Sequence, residues 1–310
     1  MGIITKRKVK KGNNPMVSKD YLLKAIDNAK QIRLTIVSTT AVVQEMHERH
    51  QTSATASAAL GRVLTAALIM GTDLKGKNHI LTIRVDGNGI AGPIIATVDS
   101  AGNGRGTIYN PAADLPSKSP GKLDVGKLVG TDGYLEVIKD MGMKQPFIGR
   151  VPIVSGEIAE DLTSYYLLSE QIPSLVSLGV LVAPDLNIRS AGGLIVQAMP
   201  GADDSLLELI ENNVLAMGSI SDIINSSENL EDIVASIMEG LNYSIIDKRP
   251  VQFKCTCNHE RLAMILASLS LEEINEIYSA NGKLEVTCNF CSEVYQYSVD
   301  EIVGLKSKKP

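Results

Sequence analysis

The chain has 310 residues and a formal net charge of −5, with 44% apolar and 21% charged residues, as in an ordinary soluble globular protein. This composition excludes a disordered chain, a collagen-like fibre and a coiled-coil rod, and the length suits about two domains. There is no Trp, and the sequence holds only four Cys.

The N-terminal residues 1–15 differ from the rest of the chain in charge. Five basic residues and no acidic residue lie in this stretch, before Met16. We interpret it as a tag or N-terminal extension, with a basic arm that binds nucleic acid or membrane as the alternative. No apolar core of a secretory signal is present in it, and the four Cys do not resemble a secreted disulfide framework, so a cytoplasmic protein is predicted.

Residues 16–200 are predicted to form an α+β domain, because strands and helices follow one another without regular βαβ alternation. Residues 31–38 alternate polar and apolar side chains and predict a strand, and 39–50 and 53–74 predict helices. The stretch 54–71 is apolar, but Arg62 and several hydroxyl side chains interrupt it, so a buried helix is favoured over a membrane span. Further strands are predicted at 80–85, 94–98, 106–109, 133–139, 147–153, 177–183 and 186–199, and a helix at 156–169.

Residues 201–248 are predicted to form an acidic helical linker. Residues 202–247 contain ten Asp or Glu and no Lys or Arg. Their apolar residues recur with helical spacing, as in the stripe from Leu230 to Leu241. Helices with such stripes must lie on the preceding domain, either as a docked subdomain or as a connector that detaches when docking is lost.

Residues 249–310 are predicted to form a small metal-binding domain. Cys255 and Cys257 form one close pair, and Cys288 and Cys291 form a second. Four thiolates that converge on one point suit tetrahedral Zn²⁺, with His259 as an unneeded substitute ligand. A unit this small buries little apolar surface, so a structural metal would decide whether it folds. A capping box at Ser270 predicts the start of a helix.

The same cysteines suggest redox chemistry. Zinc-bound thiolates are oxidised by peroxide, and each pair is close enough for a local disulfide. Local disulfides cross-link little chain, so they would not replace the folding energy of the metal. An inert structural zinc is the alternative.

Other motifs predict no catalytic set, so the protein is not expected to be an enzyme. Residues 87–92 match G-x-G-x-x-G, but a strand follows where a dinucleotide site requires a helix, which favours a glycine-rich hairpin. His47 and His50 share a helical face without a paired carboxylate or nucleophile, so surface or capping roles are favoured. The sequence Ser155-Gly156-Glu157 lacks the nucleophile elbow of a hydrolase.

The α+β domain, the acidic linker and the terminal C-x-C and C-x-x-C pairs together resemble one family, the redox-regulated holdase chaperones known as 33-kilodalton heat-shock proteins. Further similar stretches are 56–62, 154–157, 169–171 and 191–193. Asn258 stands where the family would lead us to expect Ser. The resemblance covers essentially all of residues 16–305.

The resemblance implies that one Zn²⁺ per chain is bound by the four cysteines in the reduced, inactive protein. Oxidation would then pair Cys255 with Cys257 and Cys288 with Cys291 and release the metal. The linker would detach, and the protein would form a homodimer that holds unfolding client proteins without ATP. No nucleic-acid or membrane partner is implied.

Two other functions compete with this interpretation. A zinc ribbon that binds nucleic acid would need an excess of positive charge, whereas residues 248–310 contain eight basic and eight acidic residues. A thiol–disulfide oxidoreductase would carry its C-x-x-C at the start of a helix, whereas Cys288 and Cys291 are predicted to lie in a hairpin turn.

Overall fold

The computed structural model describes residues 20–306, apart from the side chain of Asn281. The predicted extension 1–15 lies outside these residues. Helices and strands follow one another irregularly along the described chain, which confirms the predicted α+β class.

The strands, in chain order, are β1 (Tyr21–Asp27), β2 (Ile32–Ser38), β3 (Ile80–Asp86), β4 (Ile94–Asp99), β5 (Asn103–Ile108), β6 (Tyr134–Asp140), β7 (Phe147–Pro152), β8 (Ser174–Val182), β9 (Ile188–Ala198), β10 (Tyr243–Pro250), β11 (Gln252–Phe253), β12 (Leu284–Thr287) and β13 (Val294–Tyr297). The helices are α1 (Thr40–His50), α2 (Ala54–Gly71), α3 (Val125–Val129), α4 (Ala159–Tyr165), α5 (Asp204–Met217), α6 (Ile220–Ser226), α7 (Leu230–Ile237), α8 (His259–Leu266), α9 (Leu271–Asn281) and α10 (Val299–Lys306), and a π-helical turn, Tyr166–Glu170, follows α4.

Two sheets form the body of the molecule. The first has the strand order β10-β1-β2-β9-β8 and is antiparallel throughout. The second has the order β11-β5-β4-β3-β6-β7, and its only parallel pair among the described residues is β11 with β5. One edge strand of each sheet, β10 in the first and β11 in the second, therefore comes from residues 243–253. This short stretch of chain links the two sheets at their edges.

Helix α2 packs against strands of both sheets. Its residues are buried except Ala54 and Arg62, and its interior carries Leu60, Leu64 and Leu68. The helix is long and apolar enough to cross a membrane, but 89% of it is buried inside the protein. The prediction of a buried core helix is confirmed.

Helices α5, α6 and α7 pack on the first sheet. Ile210, Ile233 and Ile237 from these helices form one buried cluster with Leu34 and Val196 from the sheet. The predicted helical stripes are therefore present, but the end of the predicted helical linker is a strand, β10, which pairs with β1 along its whole length. The division of the chain at 200 and 248 stays a prediction.

The C-terminal unit consists of α8, α9, the β12–β13 hairpin and α10. Its apolar cluster contains Leu262, Ile274 and Ile302 together with Cys288 and Cys291. Ser270 caps α9 with the predicted capping box, which is confirmed. The unit is small, and its cysteines form part of its core.

Candidate metal centre

Two short turns, which we call knuckles, carry the four cysteines. The first knuckle, residues 255–257, follows β11, and Asn258 then caps α8 by accepting a hydrogen bond from the Arg261 amide. The second knuckle, residues 288–291, lies between β12 and β13. Its turn is closed by bonds from the Cys288 amide to the Glu293 carbonyl and from the Ser292 amide to the Cys288 carbonyl.

The four sulfur atoms converge. All lie within 4.8 Å of one another, and the cysteines are free thiols. The Cys255 and Cys288 sulfurs are 3.7 Å apart, and the Cys257 and Cys291 sulfurs are 3.3 Å apart. A tetrahedral zinc site with bonds of about 2.3 Å requires sulfur separations of about 3.8 Å, so the cluster fits the geometry and ligand chemistry of Zn²⁺.

The environment of the sulfurs controls their ionisation. Cys288 and Cys291 are buried, and burial raises the pKa of the Cys291 thiol, as do hydrogen bonds with the neighbouring cysteines. A bound cation would reverse this effect, because metal ligation favours the thiolate. The hydroxyl of Tyr295 lies 3.4 Å from the Cys257 sulfur and is placed to donate a hydrogen bond to a thiolate there.

His259 lies outside the sulfur cluster. Its ring centroid is 4.3 Å from that of Tyr297, and its Nδ1 is 3.5 Å from a carboxylate oxygen of Glu301. The group of potential metal ligands found among the described residues consists of the four cysteines alone. His259 is therefore not among the side chains that converge.

Both knuckles rest on the α+β body. The first is held through β11, where the Lys254 amide also donates to the Gly104 carbonyl at 3.0 Å. The second contacts a surface formed by Arg49, His50 and Arg105, which we call the docking face. The Arg49 guanidinium donates to the Cys291 carbonyl at 3.2 Å.

Two arginines of the docking face stack on the two phenylalanines near the cysteines. The Arg49 guanidinium lies 4.7 Å from the Phe253 ring centroid, and the Arg105 guanidinium lies 4.9 Å from that of Phe290. Arg105 also donates to the hydroxyl of Thr256 in the first knuckle. Such cation–π contacts tie the position of the knuckles to the body of the protein.

His50 links the body and the second knuckle through both ring nitrogens. Its Nε2 lies 3.0 Å from the Gly106 carbonyl and 3.2 Å from the Phe290 carbonyl, and the Ser292 hydroxyl is 3.3 Å from Nδ1. Burial lowers the pKa of His50, which favours a neutral ring with a proton on Nε2.

The other sequence motifs lie elsewhere. His47 has its Nδ1 within 3.1 Å of the Thr52 hydroxyl, where it supports the turn between α1 and α2. Residues 87–92 connect β3 to β4, which confirms the predicted glycine-rich hairpin. Sequence reasoning missed Arg49, Arg105 and Tyr295, because nothing in their local spacing relates them to the cysteines. The two phenylalanines beside the cysteines, on which the arginines stack, were the only local hint of such contacts.

Known proteins share both the sequence and the fold. The family model described as Hsp33 protein matches residues 20–298. The 33 kDa chaperonin of Clostridium botulinum strain 657 is 44% identical over 284 residues, which cover 92% of this chain and 96% of the relative. That of Oceanobacillus iheyensis is 44% identical over 288 residues, with 93% and 99% covered.

A solved structure is similar over nearly the whole molecule. The crystal structure of the 33 kDa chaperonin (heat shock protein 33 homolog) from Thermotoga maritima superposes with a TM-score of 0.86 at 35% identity. The match covers 93% of this chain and 98% of that one.

Proposed function

The chain belongs to the Hsp33 protein family, whose relatives in Clostridium and Oceanobacillus are named chaperonins, and we propose that it is a chaperone switched on by oxidation. In the reduced state its four cysteines hold one Zn²⁺ and the protein is inactive. Oxidation forms disulfides, releases the metal and lets the protein hold unfolding client proteins without ATP. The observation that carries this proposal is the convergence of the four sulfurs within 4.8 Å.

The metal supports the fold of the C-terminal unit. When bound, Zn²⁺ supplies folding free energy on the order of 10 kcal/mol, as in other small zinc domains. Cys288 and Cys291 are themselves part of the unit's small apolar cluster, beside Leu284 and Tyr297. Loss of the ligand set therefore removes both the metal bonds and the organisation of this core.

The oxidation step balances with hydrogen peroxide as the oxidant. Two thiolates of one pair lose two electrons and form one S–S bond, while the O–O bond of the peroxide breaks. The peroxide oxygens take up the two electrons and two protons, which come from the solvent or from the thiols, and leave as two water molecules. Two equivalents of peroxide oxidise all four cysteines.

We propose local pairing, Cys255 with Cys257 and Cys288 with Cys291. The support comes from the family resemblance and from the mechanics, because local bonds leave the two knuckles unconnected. The shortest sulfur distances instead join Cys255 to Cys288 and Cys257 to Cys291. Disulfides of that kind would close loops of more than 30 residues and staple the unit together, so they would oppose activation.

Release of the C-terminal unit would expose apolar surface on the body. The second knuckle would leave the docking face, and the segment that follows β11 would no longer be folded. The helices α5 to α7 precede β10 in the chain, and they cover Leu34, Leu194 and Val196 of the first sheet. Their excess of acidic charge favours detachment and keeps the opened state soluble, which suits clients with exposed apolar segments and homodimer formation.

The proposal places the protein in the cytoplasm, where thiols stay reduced until oxidative stress. It requires no nucleic acid and no membrane partner. The chemistry it assigns to the chain is non-catalytic, because the cysteines act once per activation and client binding changes no covalent bond.

The test measures how well the reduced and the peroxide-treated forms of the protein suppress the aggregation of a thermally unfolded client. We expect the reduced, zinc-loaded form to be inactive, and the peroxide-treated form to have released about one zinc per chain and to suppress aggregation. A matched control replaces all four cysteines by Ser: it holds no zinc and forms no disulfide, so its activity, whatever its level, should not change with peroxide. Oxidised, zinc-free protein without any suppression would contradict the proposal.

A further inference from the structure

Three sequence features that the redox site does not use meet at one cavity of about 870 Å³. The features are Arg62 of α2, the glycine-rich hairpin between β3 and β4, and the loop Ser155-Gly156-Glu157 before α4. The volume lies within the range of small-molecule sites, about 300–1,000 Å³. The cavity contains no cysteine and is separate from the docking face.

A partly buried ion pair forms the floor of the cavity. Arg62 is the only charged residue of α2, and its Nη1 lies 2.7 Å from Glu157 Oε2 and 3.2 Å from the Glu157 carbonyl. Among the described residues, neither Arg62 Nε nor Glu157 Oε1 has a hydrogen-bond partner, although both atoms are buried. Such an ion pair contributes little to stability, and an acceptor oxygen without a hydrogen bond beside a cavity suits a polar ligand.

Glycine backbone forms one wall of the cavity and fixes its shape. A Cβ on Gly89 would lie 2.2 Å from the Leu128 carbonyl oxygen, and one on Gly126 would lie 2.7 Å from that of Ser155. Side chains are excluded there, so the two loops approach backbone to backbone. The wall is therefore built of closely packed loop backbone.

The rim of the cavity carries mainly positive charge, although Glu160 also lines it and is exposed. Lys118, Lys122 and Lys127 line it and are exposed. Asp124 is occupied in capping α3, where it accepts from the Lys127 amide at 3.2 Å. Lys118 Nζ lies 4.0 Å from Glu157 Oε1, and no ion pair is found for the other two lysines within the part of the chain that the structure describes.

We propose that this cavity binds a phosphorylated small molecule that also carries a hydroxyl or amine, such as a nucleotide. The phosphates are held by the lysines of the rim, whose mobile ammonium groups suit phosphate oxygens. The O–H or N–H group of the ligand donates to Glu157 Oε1 on the floor. The carboxylate repels phosphate, so it sets the orientation of the ligand. This site lies on the α+β body, and its occupancy would stabilise the body by mass action.

Calorimetric titration of the full, reduced protein tests the site with two probes, ADP and inorganic pyrophosphate. We expect ADP to bind more tightly, because pyrophosphate carries no hydroxyl or amine apart from its phosphates that can reach Glu157 while the phosphates contact the rim. The double variant Lys122→Gln/Lys127→Gln should weaken both probes by about tenfold, as expected for two lost charge-assisted contacts. The control Lys75→Gln/Lys77→Gln removes the same charge from another exposed loop and should leave both affinities unchanged.

The variant Glu157→Gln separates the floor from the rim. It replaces the free acceptor by a donor, so it should weaken ADP about fivefold, as expected for one lost hydrogen bond, and leave pyrophosphate unaffected or tighter. Thermal melting of this variant with and without ADP gives a second readout if its yield is low. No binding of either probe at millimolar concentration, or equal effects of the rim and control double variants, would overturn the proposal. So would ADP binding that is insensitive to Glu157→Gln.

Discussion

Replacement of Arg105 by Gln should make the protein release its metal faster, although Arg105 is not a ligand. Arg105 belongs to β5 of the body and lies over the ring of Phe290 in the second knuckle, at 4.9 Å. It also donates to Thr256 in the first knuckle. The side chain therefore holds both knuckles against the body, and its loss should favour the undocked state, in which the metal is more accessible.

The expected size of the effect follows from these two contacts. A partly buried cation–π contact contributes about 1 kcal/mol, and a hydrogen bond from a charged donor contributes about 1 kcal/mol or more. A loss of about 2 kcal/mol in docking free energy corresponds to a release rate about 30-fold faster. Arg105→Lys keeps the positive charge near the ring, so it should fall between wild type and Arg105→Gln.

The assay follows transfer of zinc from the reduced protein to a chromophoric chelator in excess. The matched control is Arg189→Gln, which removes an exposed arginine from β9 and should release zinc at the wild-type rate. If Arg105→Gln also releases zinc at the wild-type rate, the docking face does not stabilise the site. If the wild-type protein binds no zinc, the metal proposal itself is wrong, so the two failures can be distinguished.

Two further predictions concern stability. Tyr21→Phe should destabilise the α7 interface by about 1–2 kcal/mol, because the Tyr21 hydroxyl donates to Glu231 at 2.6 Å and accepts from the Leu230 amide at 2.7 Å. Burial and the bond to Glu231 raise the pKa of Tyr21 to about 12. In urea unfolding, the difference in unfolding free energy between wild type and variant should therefore be full below about pH 10 and disappear towards pH 12. A difference that does not change with pH would refute this. Ser270→Ala removes the cap of α9 and should destabilise the C-terminal unit by about 1 kcal/mol, as measured by thermal melting. The control Ser279→Ala, in the exposed last turn of the same helix, should destabilise it less. Equal effects would show that the cap contributes nothing.

Local patterns were sufficient for the parts of the fold that depend on short stretches of chain. The apolar run interrupted by Arg62 predicted the buried helix α2, and the spacing after Ser270 predicted the start of α9. The two close cysteine pairs predicted the convergence of four sulfurs, which is confirmed. In the two helices the sequence signal and the structural cause lie within the same stretch of about 20 residues.

Features that join distant parts of the chain escaped prediction. Strand β1 pairs with β10, which lies more than 200 residues away. Neither strand shows clean alternation, since β1 is buried on both faces and β10 is largely exposed. The docking face has the same origin, since Arg49 and Arg105 acquire their roles only when β11 joins the second sheet at β5. Helices α8 and α10, of eight residues each, were not predicted.

The central claim is that oxidation separates the two knuckles through local disulfides. Trypsin tests it directly, because Lys254, Arg261 and Lys283 place the two knuckles on different peptides, 255–261 and 284–306. The digest is made without reductant, on protein at the peroxide dose that first suppresses client aggregation. We predict two separate peptides, each lacking two hydrogens relative to its dithiol form. A single linked species that joins 255–261 to 284–306, or unmodified thiols in fully active protein, would contradict the account.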